Sequence, residues 1–374
     1  MADGTESPQR IARLTPLDDV LARIDALVAP VEPRERAVAD AVGQVLAGDV
    51  TAGPHPRAPL ALRDGWAVRA ELTSDASSYA PAPLPAAARI DAGEPVPAGA
   101  DAVAPLDVVA VRAGRMEIIA PVGAGEGVLQ AGADTDGRLL PAGGRLTRIR
   151  AAVLAAAGLE RVSVREPRVR LVRNRAGGDA VIDAAMELIA GEIAAAGGRV
   201  SGGAAAAAGA SLEAAFADDT ADAVIAVGGT GSGRTDAGVR TLARVGRLEV
   251  HGIALAPGET AAFGFVGSRP VLLLPGRLDA ALAVWLVLGR RLLARLSGCG
   301  EEEPAGKARL ARKVASSLGL AEVIPVRMRA GAAEPIASGY VPFSALAQAD
   351  GWILVPADSE GYPPGAEVVI RPWS

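Results

Sequence analysis

Between residues 167 and about 298 the chain alternates between two hydrophobic periods. PRVRLVRN, ADAVIAVGG, LEVHGIALAP and RPVLLLPG are short runs rich in Val, Ile and Leu. AVIDAAMELIAGEIAAAGG, DAGVRTLARVG and LDAALAVWLVLGRRLLARL carry helical spacing. This alternation predicts a three-layer α/β domain with a largely parallel sheet, because parallel strands need helical crossovers that cover both faces. Ligands of such sheets bind at the carboxyl ends of the strands. Two glycine loops fall there. The apolar run 223–227 flows into four glycines within six positions, in Gly228-Gly229-Thr230-Gly231-Ser232-Gly233-Arg234, followed by Asp236. The second loop is Pro275-Gly276-Arg277, where a strand meets a helix. Glycine lets backbone N–H groups approach an anion, and a helix N-terminus adds a favourable dipole. Neither loop carries the Lys of a P-loop or the distant acid of a dinucleotide fingerprint. On this pattern alone the first loop reads either as a phosphate cradle or as a tight structural turn.

At 374 residues the chain exceeds one ordinary core. Residues 15–48 read as two amphipathic helices, TPLDDVLARIDALV and PRERAVADAVGQVLAGDV. From about 51 to 145 Pro and Gly punctuate short strand-like pieces. LTRIRAAVLAAAGLE, near 145–160, returns to helix, so the β-rich module reads as an insertion. After Pro304 come strand-like pieces and turns (AEVIPVRMR, GWILVPA, AEVVIRPW). The expected layout is a four-domain α/β chain. A discontinuous helical domain takes 13–50 plus 144–166, and a β-rich inserted domain 51–143. An α/β domain takes 167–300, and a C-terminal β domain 304–374.

Net charge is −5, which argues against nucleic acid or an anionic membrane as partner. No run reaches the roughly 18 apolar residues of a membrane span, and the N-terminal MADGTESPQRIARL lacks an apolar signal core. A cytoplasmic protein is expected. The single cysteine, Cys299, rules out an internal disulfide and reads as a small buried residue. The two histidines include His251, which reads as a packing or hydrogen-bonding residue.

Six segments occur in order: LALRDGWAVRA, RIDAGEPVPAGADAV, GADTDGRLLPAGGRL, VGGTGSGRTD, LLLPG and SALAQADGWILVP. Together they resemble the molybdopterin molybdotransferase family, which includes the gephyrin E domain, over about residues 13 to 372. The resemblance implies an elongated homodimer of four domains: a discontinuous one, a β-rich insertion, a molybdopterin-binding α/β domain and a C-terminal β domain. It implies molybdopterin or its adenylylated form, together with molybdate, as substrates. A molybdoenzyme or another cofactor-biosynthesis protein is the implied further partner. It places phosphate on Gly228 to Arg234 and on Pro275, Gly276 and Arg277. It also gives Asp64, Asp134 and Asp236 as catalytic and metal-binding carboxylates for Mg²⁺, an ion that favours oxygen ligands. Each of the three also suits a purely structural role, Asp64 and Asp134 as turn formers and Asp236 as a helix N-cap.

The chain departs from the family pattern at several of these places. Ser-Ala-Met-Asp-Gly-Tyr becomes Ala61-Leu62-Arg63-Asp64-Gly65-Trp66. In the next two motifs Asp101, Gly132 and Asp134 match, while Glu becomes Asp107 in one and Ala133 in the other. The strand that normally ends in Thr-Gly-Asp-Glu-Leu reads Val172-Arg173-Asn174-Arg175-Ala176-Gly177. Lys-Pro-Gly-Lys-Pro becomes Ala256-Pro257-Gly258-Glu259-Thr260, so both lysines are lost. An anion site so altered loses two charges and gains a repulsive one, each close pair being worth about 1–4 kcal/mol. Arg234 and Arg277 are the cations available to compensate. Two functions follow. One is insertion of molybdate into molybdopterin. The alternative is a non-catalytic molybdopterin-binding paralogue that carries or stores the cofactor.

Overall fold

The computed structural model describes residues 10–84, 88–112, 115–135, 137–174, 179–201, 212–233, 236–301 and 305–373. Arg234 lies outside them. The chain divides into two compact units: Met1–Gly48, Gly143–Ala151 and Arg161–Ser374 form one, and Asp49–Ala142 with Ala152–Glu160 the other.

The first unit is built on a six-stranded sheet. Its order is Arg199–Ser201, Arg168–Arg173, Ala223–Val227, Arg269–Leu274, Ala262–Val266, Arg247–His251. The first four strands run parallel. The last two pairings are antiparallel, so Ala262–Val266 runs against the other five strands and the sheet is mixed. The strand Ala262–Val266 has no counterpart in the sequence reading. It is the return leg of a hairpin whose mate, 269–274, carries the stronger apolar signal.

Burial explains why 223–227 is apolar throughout rather than alternating. Ala223, Ile225 and Val227 face one core cluster with Ile182, Met186 and Trp285. Val224 and Ala226 face the other, with Phe216, Val239 and Leu242. A strand covered on both faces has no solvent side to display polar residues. The helix Ala180–Ala195 starts at Asp179, whose carboxylate accepts from the Val181 and Ile182 N–H groups. The helix Leu17–Leu27 places Leu17, Val20 and Ile24 in the first of these clusters.

The second helix expected from Pro33 to Gly48 does not form. Arg34–Ala37 is instead a strand paired antiparallel with Arg161–Arg165, and Val45–Leu46 pairs with the other edge of that strand. Between them Val38–Ala41 makes one tight turn of 3₁₀ helix, and Gly43 takes φ +90°. Alternation in Arg161-Val162-Ser163-Val164-Arg165 buries both valines, and that pairing overrides the helical spacing.

At the C-terminal end, five strands close on themselves: Ala321–Arg329, Ala332–Pro335, Gly306–Leu310, Glu367–Pro372 and Gly351–Val355, which returns to 321–329. Closure removes the exposed edges. Leu310, Ile324, Val326, Ile353 and Val355 fill the interior. The short strand Leu255–Ala256 pairs parallel with Ala321–Glu322, so the 256–260 loop is clamped to this barrel.

The second unit is made of small sheets. Gly65–Val68 lies between Ala88–Ile90 and Ala102–Pro105. A Cβ on Gly65 would stand 2.2 Å from the Ala104 carbonyl oxygen, so only glycine fits beneath that strand. Among the described residues no helix is long and apolar enough to cross a membrane.

Candidate functional site

The glycine loop sits at the carboxyl end of Ala223–Val227, where the first unit's parallel strands stop. Gly228 and Gly229 take φ +93° and +66°, a region L side chains rarely adopt. Asn174, at the end of the neighbouring strand, donates from Nδ2 to the Gly228 carbonyl at 2.8 Å, and its N–H reaches Val227 O. A Cβ on Gly229 would meet Asn174 O at 2.6 Å, and one on Gly238 would meet Asn174 Nδ2 at 2.0 Å. The two glycines are therefore required by the buried amide between them. Gly228 N–H donates to Leu274 O, and Gly276 packs with its Cβ position 3.5 Å from Gly228 Cα. The structure thus brings both glycine loops of the sequence reading together. Pro275, the first residue of the second loop, is buried.

Beyond Gly229 the loop turns over polar groups. Thr230 is 2% exposed, and its hydroxyl lies 2.9 Å from that of Thr260. His251 Nε2 donates to the Thr230 carbonyl at 3.2 Å, which fixes the proton on Nε2. This is the hydrogen-bonding role read for His251. Asp236 folds back on the loop. Its Oδ2 accepts from Gly233 N–H at 3.0 Å, and its own N–H donates to Gly233 O. It is not a helix cap: Ala237 holds the N-cap position of Gly238–Val245, with no side-chain bond. Ser232 and Gly233 are exposed at the loop tip.

Charge at this edge is dominated by pairing. Arg277 donates through Nε and Nη2 to both oxygens of Asp279, at 3.1 and 2.5 Å, and its guanidinium lies 5.0 Å from the Tyr340 ring centroid. The hydrogen bond to Asp279 raises the Arg277 pKa above its ordinary value. The fields of Asp279 and Glu259 add to it, against partial burial. Asp279 is 5% exposed and also accepts from Val341 N–H at 3.1 Å. Glu259 curls onto its own loop, where Oε2 accepts from Gly258 N–H at 3.0 Å. Arg173, at the strand end before Asn174, pairs with Asp183. Asn174, Thr260 and Asp279 were not singled out from sequence. Asn174 ends a strand of the sheet and Asp279 lies two residues after Arg277, and both positions were visible signals.

In the second unit, Asp64 Oδ1 accepts from Ala92 N–H at 2.8 Å, which ties the 61–66 motif to the 89–103 motif. Arg89 Nη1 adds a bond to Gly65 O at 2.9 Å. Asp101 Oδ1 holds Ala70 N–H at 2.7 Å. Arg63 covers Gly127 and pairs with Glu126 at 2.9 Å. Asp134 Oδ2 stands 3.1 Å from His55 Nδ1, a partner with no signal in the sequence. Asp64 and Asp134 thus belong to the second unit and Asp236 to the first. Among the described residues no group of three or more His, Cys, Asp or Glu side chains gathers to hold a metal ion. Cys299, read as buried, is half-buried instead, with its thiol toward Glu301 O.

A mixed α/β layer with a glycine loop buttressed at its parallel strand ends, joined to a closed C-terminal barrel, defines a class of multidomain α/β protein. Three family models refine it. The MoeA N-terminal region (domains I and II) matches residues 15–158. A molybdopterin-binding domain model matches 170–295, and the MoeA C-terminal region (domain IV) matches 307–373. The chain belongs to the MoeA family, a family of molybdenum cofactor biosynthesis. Molybdopterin molybdenumtransferase 1 of Mycobacterium tuberculosis is 27% identical over 84% of each chain. A provisionally named molybdopterin biosynthesis protein of Methanocaldococcus jannaschii is 31% identical over 150 residues, 40% of this chain and 36% of that relative's length. The MoeA protein of Pyrococcus horikoshii superposes with a TM-score of 0.76 at 27% identity, covering 97% of this chain and 100% of that one.

Proposed function

We propose that this protein binds molybdopterin, or its adenylylated form, by its terminal phosphate on the Gly228–Gly233 loop and the 275–277 turn. On this reading it acts in the molybdate-insertion step of cofactor biosynthesis. The supporting observation is the buttressed loop itself. Asn174 holds Gly228 and Gly229 in left-handed backbone, and Thr230 and Thr260 set two hydroxyls beside them. Backbone N–H groups and hydroxyls are neutral donors that suit a phosphate. Arg277, fixed by Asp279, supplies a guanidinium at the 275–277 turn, and Arg234, next to Gly233 in the sequence, is proposed as a second cation. No covalent nucleophile is required. Positioning and charge neutralisation carry such a transfer. Asp64, Asp134 and Asp236 are each proposed as a carboxylate able to ligate a divalent cation, which would neutralise oxyanion charge when bound. A homodimer is proposed as the working form. A clean monomer by light scattering at micromolar concentration counts against it.

A second reading, binding without insertion, is favoured by one observation. The described charge around the loop is more acidic than basic: Asp236, Glu259 and Asp279 stand against Arg277. The neutral N–H and hydroxyl donors of the loop can hold the pterin phosphate against that field, while molybdate, with no such cradle, meets net repulsion. The experiment offers the purified protein molybdopterin, molybdate and a divalent cation, then reconstitutes an apo-molybdoenzyme with the product. Reconstitution supports insertion. Binding without reconstitution supports the second reading, and absence of pterin binding overturns both.

A further inference from the structure

Tyr340 is an exposed ring on a backbone held from both sides. Gly339 N–H donates to Glu322 Oε1 at 2.7 Å, and Val341 N–H donates to Asp279 Oδ2 at 3.1 Å. Both carboxylates are buried, at 6% and 5% exposure. A buried carboxylate is tolerated only when it is hydrogen-bonded, and these two accept from the amides that flank Tyr340. The segment is thereby tied to the barrel strand Ala321–Arg329 on one side and to the helix Leu278–Val284 on the other. Tyr340 itself is left 63% exposed. One face of its ring carries the Arg277 guanidinium, 5.0 Å from the centroid, so the opposite face is the one turned to solvent. Arg277 directly follows Gly276, whose Cβ position lies 3.5 Å from Gly228 Cα. The ring thus stands one arginine side chain away from the place where the two glycine loops meet.

We infer that Tyr340 is the stacking platform for the planar nitrogen heterocycle of a phosphate-bearing ligand, which lies on the open face of the phenol. The inference rests on the proposed phosphate site at the glycine loop and the 275–277 turn. A ring kept for packing is buried, whereas this one is fixed and open. The face of a phenol is electron-rich and pterin and adenine rings are electron-poor, so offset stacking is favourable. Such a stack is worth about fivefold to a hundredfold in affinity for each ring, and it tolerates different bases because each offers a π face. The platform therefore suits either a pterin or an adenine, the two rings of an adenylylated molybdopterin. Because both flanking amides are anchored, little of the segment has to be ordered when a ring lands, and that cost is not subtracted from binding. Arg277 keeps both of its bonds to Asp279 when the phenol is removed, so the phosphate end is separable from the ring end.

The test uses the full chain and three probes: inorganic phosphate, AMP and molybdopterin, the last kept free of oxygen. Affinities are read by calorimetry for the parent, Tyr340→Ala and Tyr340→Phe. Tyr340→Ala is expected to weaken a ring-bearing probe about tenfold or more and to leave inorganic phosphate within about twofold. Tyr340→Phe, which keeps the face and loses the hydroxyl, should stay within about threefold of the parent on all three probes. Loss confined to AMP identifies adenine as the stacked ring, and loss confined to molybdopterin identifies the pterin. Loss of both shows a platform that takes either. If phosphate binds and Tyr340→Ala changes neither ring-bearing probe, the inference falls and the phosphate site stands. If all three probes weaken together, Tyr340 shapes the turn rather than holding a ring, and the inference falls. The same follows if light scattering shows Tyr340→Ala dissociating a dimer, since the ring then belongs to an interface between copies. If the parent binds none of the three, the phosphate reading falls as well.

Discussion

Asp279 joins three parts of the first unit through one buried carboxylate. It accepts two bonds from Arg277 at the glycine-loop edge and a third from Val341 N–H, in the segment leading into the barrel's short helix Phe343–Leu346. It stands four residues beyond Pro275, on the first turn of the helix Leu278–Val284. Removing it leaves a guanidinium half-paired and a buried N–H unpaired. Asp279→Ala is expected to lower the unfolding free energy by about 2–4 kcal/mol, since an orphaned buried donor costs about 1–3 kcal/mol and charged bonds about 1.5–3. Arg277→Ala should cost less, because it leaves the Val341 bond in place, although it strands the buried Asp279 carboxylate without its cation. Urea unfolding of both variants checks the order, and an equal loss would mean that the Val341 bond carries no weight.

Asn174 is the hinge of the phosphate reading. Its Nδ2 occupies the space that glycines 229 and 238 leave free. Asn174→Ala removes the bond to Gly228 O and opens a polar void beside it. Stability is expected to fall by about 1–2 kcal/mol, with molybdopterin affinity falling about tenfold as the loop loses its shape. Gly238→Ala should do the same by pushing on the amide from the other side. Fluorescence titration with molybdopterin measures both. A stability loss with unchanged affinity would separate the loop from the ligand.

The sequence made the parallel strands readable because they are buried on both faces, and Ala223 to Val227 carries that burial in every position. The barrel strands near 321–329, 351–355 and 367–372 were readable as short strand-like runs set between turn residues, the first two buried along most of their length. What failed depended on long-range pairing. Arg34–Ala37 has helical spacing but finds Arg161–Arg165 more than a hundred residues away, and no local signal announces such a partner. The site divides in the same way. Glycines 228, 229, 231 and 233 were legible as a loop because glycine has a local backbone reason to be there. Asn174, Thr260 and His55 were not, because their roles come from contacts across strands. Arg277 was legible as a residue and not as a charge, since its pairing with Asp279 and Tyr340 is tertiary.

Acid should unfold the first unit through specific pairs. Asp25 accepts two bonds from Arg291, at 2.7 and 2.6 Å, which hold its carboxyl below the usual aspartate range, and burial offsets this only in part. A carboxylate depressed in the folded state binds its proton first in the unfolded chain. Its contribution is complete above the unfolded value, about 3.9, and is lost as pH falls through the folded one. Asp218, held low chiefly by the Thr220 hydroxyl and N–H, acts in the same direction. Stability is therefore expected to be flat from about pH 7 to 5 and to fall below about pH 4. Arg291→Gln should flatten that fall. Equal pH dependence in the variant and the parent would show that the pair does not contribute.

The 256–260 loop offers a gain-of-function test of the charge argument. Ala256 is held in strand pairing with Glu322 of the barrel, and Glu259 lies near enough to Arg277 to raise its pKa. Both positions are half-exposed, so longer side chains there have solvent-side room. Converting Ala256 and Glu259 to lysine replaces one negative charge by two positive ones beside the glycine loop. At about 1 kcal/mol or more for each close charge, the double variant is expected to bind molybdate at least tenfold more tightly than the parent. Most of the gain should come from Glu259→Lys, which changes the local charge by two units against one for Ala256→Lys. Calorimetry with sodium molybdate at low ionic strength reads the gain, and added salt should shrink it as screening grows. Salt-independent binding, or no gain at all, would mean that oxyanions do not approach this edge, and the phosphate assignment of the loop would fall with it.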